Sequence, residues 1–244
     1  MNESRWQLPE HPLRASAVSA HAAGVVFVGG AAWALRAGLH LTPGYPFAAA
    51  AVFFVLMGIA LGFLNDSHPH ARFGSANLIT MLRLALVALV ASLLVEQQSA
   101  TVAFAVVAAA SAATALDGVD GWLARRRNMA SAFGARFDME IDALLILALS
   151  AFAYHAGKAG AWVLLSGLMR YAFVAAGSIV SWMNAPLPVS IRRKTVCVAQ
   201  VAALVAVAAP FVQPPISTIV AGGALAVLSY SFLVDTLWLR RQAR

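Results

Sequence analysis

Eight apolar stretches, each about as long as a bilayer is thick, constrain this chain more than anything else in its sequence. They lie near 17–38, 46–64, 77–95, 100–116, 139–157, 160–182, 195–212 and 216–237. Hydrocarbon offers the backbone no hydrogen-bonding partner, so a crossing chain must satisfy its N–H and C=O groups within helices or in a closed barrel. A hydrocarbon core of ~30 Å takes roughly 20 helical residues to cross. The stretches have that length, and their Ala, Leu, Val and Gly cover every face instead of alternating as barrel strands do. The expected fold is therefore an all-α polytopic membrane protein, a helical bundle. With 61% hydrophobic and 11% charged residues and a mean hydropathy of +0.78, the chain leaves no segment for a soluble domain. The first stretch starts late and runs long for a cleaved secretory signal, and it reads as a permanent helix.

The basic residues orient the bundle. Arg5, Arg14, Arg72, Arg125, Arg126, Arg127, Arg136, Arg192, Arg193, Lys194, Arg240, Arg241 and Arg244 all fall on one side of the expected spans. The opposite loops hold only Arg36 and Lys158, and Arg83 and Arg170 fall inside spans. Lys and Arg concentrate on the cytosolic side of membrane proteins. Both termini and the loop between the fourth and fifth spans are thus expected in the cytosol, and the protein itself in a bacterial inner (plasma) membrane. Topology also accounts for most of the net charge of +7, so no nucleic-acid partner is expected. The single cysteine, Cys197, excludes an intrachain disulfide and a cysteine metal cluster, and reads as a small buried residue.

Against this background residues 117–142, DGVDGWLARRRNMASAFGARFDMEID, are conspicuously polar. Their aspartates, Asp117, Asp120, Asp138 and Asp142, are spaced 3, 18 and 4 apart, so each flanking pair projects from one face of a helical turn. Two facing pairs would make a four-carboxylate cage at the membrane edge, where carboxylates are expensive to desolvate and point to function. Divalent cations that prefer hard oxygen ligands would hold all four as anions, with Mg2+ or Mn2+ the natural choice. Gly118 and Gly121 leave backbone open to a phosphate, Gly134 precedes the second pair, and Arg125 offers a guanidinium fork. Together these are the parts of phosphoryl transfer. The plainer alternative is a solvated connection with mixed charges.

The stretch resembles the signature of the CDP-alcohol phosphatidyltransferases, D-x2-D-G-x2-A-R-x8-G-x3-D-x3-D. Asp117, Asp120, Gly121, Ala124, Arg125, Gly134, Asp138 and Asp142 stand at its fixed positions. NLITMLR, with Asn77, Thr80 and Arg83, is similar to the family's opening of its first core helix. The resemblance implies a six-helix catalytic core over 77–244, leaving 1–76 as an extension with two additional transmembrane helices. It further implies that the four aspartates gather two metal ions around the diphosphate of a CDP-linked donor. Gly121, Ala124, Arg125 and Gly134 would form the cytidine and phosphate pocket, with Asn77 and Thr80 lining the nucleotide site. A helix N-cap is the competing role for Asn77. Asp142 would be the base that deprotonates the acceptor alcohol, beside Asp138, and a homodimer is implied as well.

The donor implied is CDP-diacylglycerol, its phosphatidyl group passing to an alcohol with release of CMP. The reverse arrangement, a soluble CDP-alcohol with diacylglycerol as acceptor, carries the same signature. For the acceptor, Arg170 is too costly to face lipid and is expected to face a cavity or an acid such as Glu140. Arg192, Arg193 and Lys194 could clamp the phosphate of glycerol 3-phosphate or inositol phosphate, or else meet anionic headgroups. An unphosphorylated alcohol fits better if Arg170 is paired. Asp66, His68 and His70 read as a solvated connector. A cation-coupled transporter would place its acids near the midplane on broken, repeated helices, and no repeat is visible. An inactive membrane scaffold would be expected to have lost signature residues.

Overall fold

The structure is a computed structural model that describes residues 13–62, 64, 73–126 and 131–243, with backbone alone for 119–126. The connector residues Asp66, His68 and His70 lie outside the described residues. Among the described residues there are eight α-helices and no strand: α1 (Leu13–Leu39), α2 (Tyr45–Gly62), α3 (Ser75–Ser92), α4 (Ala100–Arg126), α5 (Ala132–His155), α6 (Leu165–Ile179), α7 (Ile191–Ala208) and α8 (Ile216–Gln242). Each expected span is met by one helix. Six are long and apolar enough to cross a membrane. The exceptions are α5 and α7, and the reason is charge. Any part of α5 long enough to span takes in Asp138, Glu140 and Asp142, and α7 begins with Arg192, Arg193 and Lys194. The fourth helix continues through the DGVD sequence to Arg126, so Asp117 and Asp120 ride on its last turns.

The helices group into two compact units, Met1–Ile141 and Asp142–Arg244, the division falling inside the continuous helix α5. In the first unit α1 and α2 pack on each other and both pack on α3, which in turn lies along α4. Small residues make the approach close: a Cβ on Gly24 would stand 2.4 Å from Cζ of Phe53, so only glycine lets that ring lie on α1. Tyr45, Ala49, Phe53 and Met57, one turn apart, are the buried stripe of α2. Its opposite face exposes Phe47, Phe54 and Ile59, as lipid-facing positions require. Glu96, buried beyond the end of α3, accepts from the Thr42 backbone N–H at 3.0 Å and from its hydroxyl at 2.6 Å. That carboxylate closes the turn leading into α2, and the Tyr45 hydroxyl adds a bond to the Leu89 carbonyl at 3.2 Å. The two N-terminal helices are thus tied to α3 by polar bonds as well as by packing.

In the second unit α5 ends in a glycine turn. Gly157 has φ +66, a left-handed conformation that side chains resist, and the next N–H, of Lys158, returns to the Ala153 carbonyl at 2.8 Å. The Lys158 side chain is buried and donates to the carbonyls of Ala209 and Val212 at 3.2 and 2.5 Å. Burial pushes its pKa below the ordinary lysine range. Its own carbonyl accepts from Ser217 and Thr218, so one residue joins the α5–α6 and α7–α8 connections. At the other end of α7, the Arg192 guanidinium donates to Ser231 and Asp235 of α8. Gly167 of α6 brings that helix onto the backbone of α5: a Cβ there would sit 2.4 Å from Cα of Leu147. Backbone cannot move aside as a flexible side chain can. Gly167→Ala is therefore expected to cost about 1–3 kcal/mol, seen as a lowered Tm of the detergent-solubilised protein.

Candidate active site

The residues of the NLITMLR segment form one buried stripe. Asn77, Thr80 and Arg83 recur every third residue on α3, and all three are almost fully buried. The helix begins at Ser75 after Gly74, so Asn77 lies inside its first turn and is not the N-cap. Its amide nitrogen donates back to the Phe73 carbonyl at 2.6 Å. Its oxygen lies against Gly134 of α5, 3.0 Å from where a Cβ would be. Gly134 in turn donates its N–H to the Ser131 hydroxyl at 3.0 Å, and Phe133 stacks on Phe137 and meets Phe73 edge-on. Glycine at this position of the signature thus has a local cause: a side chain at 134 would press on Asn77.

Arg83 is the centre of the site. Its side chain is completely buried, its Nε donates to the Ala113 carbonyl at 3.1 Å, and its Nη1 stands 3.0 Å from Oδ1 of Asp117. The same Nη1 donates to Oδ1 of Asp138. One guanidinium therefore joins α3 to the last turns of α4 and the first turns of α5. An oxygen of Asp117 lies within 4.8 Å of one from Asp138. Asp142 follows one turn along α5, its carboxylate oxygen within the same distance of that of Asp138. The thiol of Cys197, on α7, approaches Oδ2 of Asp142 at 3.7 Å. Carboxylate oxygens this close together are the donor set of a hard divalent cation, so the residues present fit such an ion.

A family model, CDP-alcohol phosphatidyltransferase, matches residues 73–234, about two-thirds of the chain. The chain belongs to that family. No curated protein and no solved structure shows significant similarity to it. As a CDP-alcohol phosphatidyltransferase it is an integral membrane enzyme of phospholipid biosynthesis, which moves a phosphatidyl group from a CDP-alcohol to an alcohol acceptor. Enzymes of this family generally depend on divalent metal, and the aspartate cluster is where this chain can hold it.

Of the residues singled out in the sequence, Asp117 and Asp138 meet at Arg83, Asp142 stands one turn beyond, and Asn77 and Gly134 touch. The side chains of Asp120, Gly121, Ala124 and Arg125 lie outside the described residues, on the last turns of α4. Arg170 occupies the middle of α6. Arg192 is engaged by Asp235, at 2.5 Å, and by Ser231, while Arg193 reaches the Pro188 carbonyl and stands 3.5 Å from Asp235. Lys194 lies in the first turn of α7. Asp235 thus balances much of the positive charge at the start of that helix.

Sequence reasoning undervalued three residues. Arg83 had a usable signal: a guanidinium inside a span needs a carboxylate, the same reasoning applied to Arg170. Cys197 and Asp235 had none, because only folding brings α7 to Asp142 and α8 to Arg192. Replacing Gly134 by Val is expected to push Asn77 off the Phe73 carbonyl, losing about 1 kcal/mol of stability for the broken bond, which a thermal melt of the variant checks.

Proposed function

We propose that the protein transfers the phosphatidyl group of CDP-diacylglycerol to a phosphorylated alcohol such as glycerol 3-phosphate or inositol phosphate, releasing CMP. The observation that carries this reading is the convergence of Asp117 and Asp138 on the buried guanidinium of Arg83, with Asp142 one turn beyond Asp138 on α5. Asp117, Asp120, Asp138 and Asp142 would hold two divalent ions, Mg2+ or Mn2+. Such ions, when bound, polarise the phosphorus and offset the charge of the departing CMP. The chain's own residues do the rest. Asp142 accepts the proton of the acceptor hydroxyl as its oxygen bonds to the lipid-bearing phosphorus, and the bond from that phosphorus to the CMP oxygen breaks. Asn77, Thr80, Gly121, Ala124, Arg125 and Gly134 form the nucleotide side of the pocket.

The acceptor's phosphate needs a cation. Arg170, Arg192, Arg193 and Lys194 are the cations offered for it, Arg192 being already engaged by Asp235. The distribution of Lys and Arg in the sequence favours a cytosolic face for the arginine-rich end of α4, the start of α5 and both termini.

Purified protein with CDP-diacylglycerol and Mg2+ or Mn2+ is expected to release CMP with one phosphorylated alcohol and not with serine, inositol or choline. Release only with a soluble CDP-alcohol and diacylglycerol would reverse the donor assignment. No release with any pair would sink the reading. Asp142→Asn is expected to bind donor while kcat falls about 10²–10⁴-fold, and unchanged kcat would remove Asp142 as the base.

A further inference from the structure

We propose that Arg83 is the resident counter-cation of the aspartate site, a positioning residue that holds Asp117 and Asp138 together in the metal-free protein. Divalent ions then bind by exchanging with it at those oxygens. The inference rests on the reading of the cluster as a metal site. Its basis is geometric. Arg83 is completely buried, and a buried guanidinium persists only where its charge is matched. Its Nη1 is shared between the nearest oxygens of two carboxylates carried by different helices, α4 and α5. The Nε bond to the Ala113 carbonyl, one turn before Asp117, fixes the guanidinium on the same helix that bears one of the acids.

Two carboxylates with oxygens inside 4.8 Å repel one another unless a cation lies between them. In this structure the cation between them is the guanidinium. Arginine does not lose its proton in a protein, so the guanidinium stays a cation throughout the working pH range. It also carries only a single charge. A divalent ion brings two, and approaches carboxylate oxygens more closely than an N–H donor does, so it competes for the same Oδ1 atoms. The consequence is a site assembled before its metal arrives, whose first metal contact displaces the nitrogen from at least one aspartate.

Melting temperatures of purified protein in EDTA and in millimolar Mg2+, without donor or acceptor, test this. In EDTA Arg83→Met is expected to melt roughly 10 °C below wild type. Mg2+ is expected to raise its Tm by more than it raises that of wild type. Adding Asp117→Asn to Arg83→Met removes one of the unmatched acids and is expected to raise the Tm in EDTA above that of Arg83→Met alone. A residue that only filled space would show no such rescue. Arg83→Lys, which restores charge without the fork, is expected between Arg83→Met and wild type.

A wild-type Tm and metal response in Arg83→Met would overturn the proposal. So would a double variant less stable than Arg83→Met, or the absence of a metal response in every variant. If Arg83→Met yields no folded protein, a folded double variant supports the proposal. If both fail, Arg83→Lys decides: a larger Mg2+-induced rise than wild type supports it, and an equal rise overturns it. Because no substrate is present, a protein that releases no CMP leaves these comparisons intact.

Discussion

A single buried contact, the guanidinium of Arg83 between the carboxylates of Asp117 and Asp138, organises the functional half of the first unit. An arginine in an apolar helix is tolerable only beside an acid, and acids at a membrane edge are tolerable only beside a cation. Each therefore solves the other's solvation problem. The contact sets how α3, α4 and the start of α5 meet, because a guanidinium reaches acids on two helices only if both end near its plane. The family signature describes the acids. The charge that lets three apolar helices carry them comes from α3.

The second unit uses the same economy at its two ends. Lys158, on the α5–α6 connection, gives its buried ammonium to carbonyls of the α7–α8 connection and its own carbonyl to hydroxyls in the first turn of α8. Arg192 and Asp235 cross between α7 and α8. Between these polar ties the contact is close packing, and Gly167 on the Leu147 backbone shows how close. Without a hydrophobic force to drive helices together in lipid, small residues and a few polar bonds do that work.

The helices could be read from the sequence because each apolar stretch had the length of a span, and the acids because spacings of 3 and 4 permit one face only. Gly134 was legible as a position and its reason was not: the neighbour that excludes a side chain, Asn77, sits 57 residues earlier on another helix (134 minus 77). The N-cap role for Asn77 failed because Gly74 takes that place. Arg192 read as a phosphate clamp or a headgroup contact because its partner Asp235 lies 43 residues away. Local period carries local structure, whereas pairing between distant charges is a property of the packed bundle.

The order of the chain gives the Arg83 contact a meaning during biogenesis. Synthesis is vectorial, and the guanidinium of Arg83 is made before either acid, Asp117 following 34 residues later (117 minus 83) and Asp138 55 residues later. For that interval α3 carries a charge that its later partners have not yet matched. The hairpin of α1 and α2, already inserted and able to pack on α3, gives it a protein surface to rest against. Only when α4 and the start of α5 follow is the charge matched, which ties these three helices in one polar contact. The two N-terminal helices, which lie outside the family match, thus pack on the helix on which the site is built.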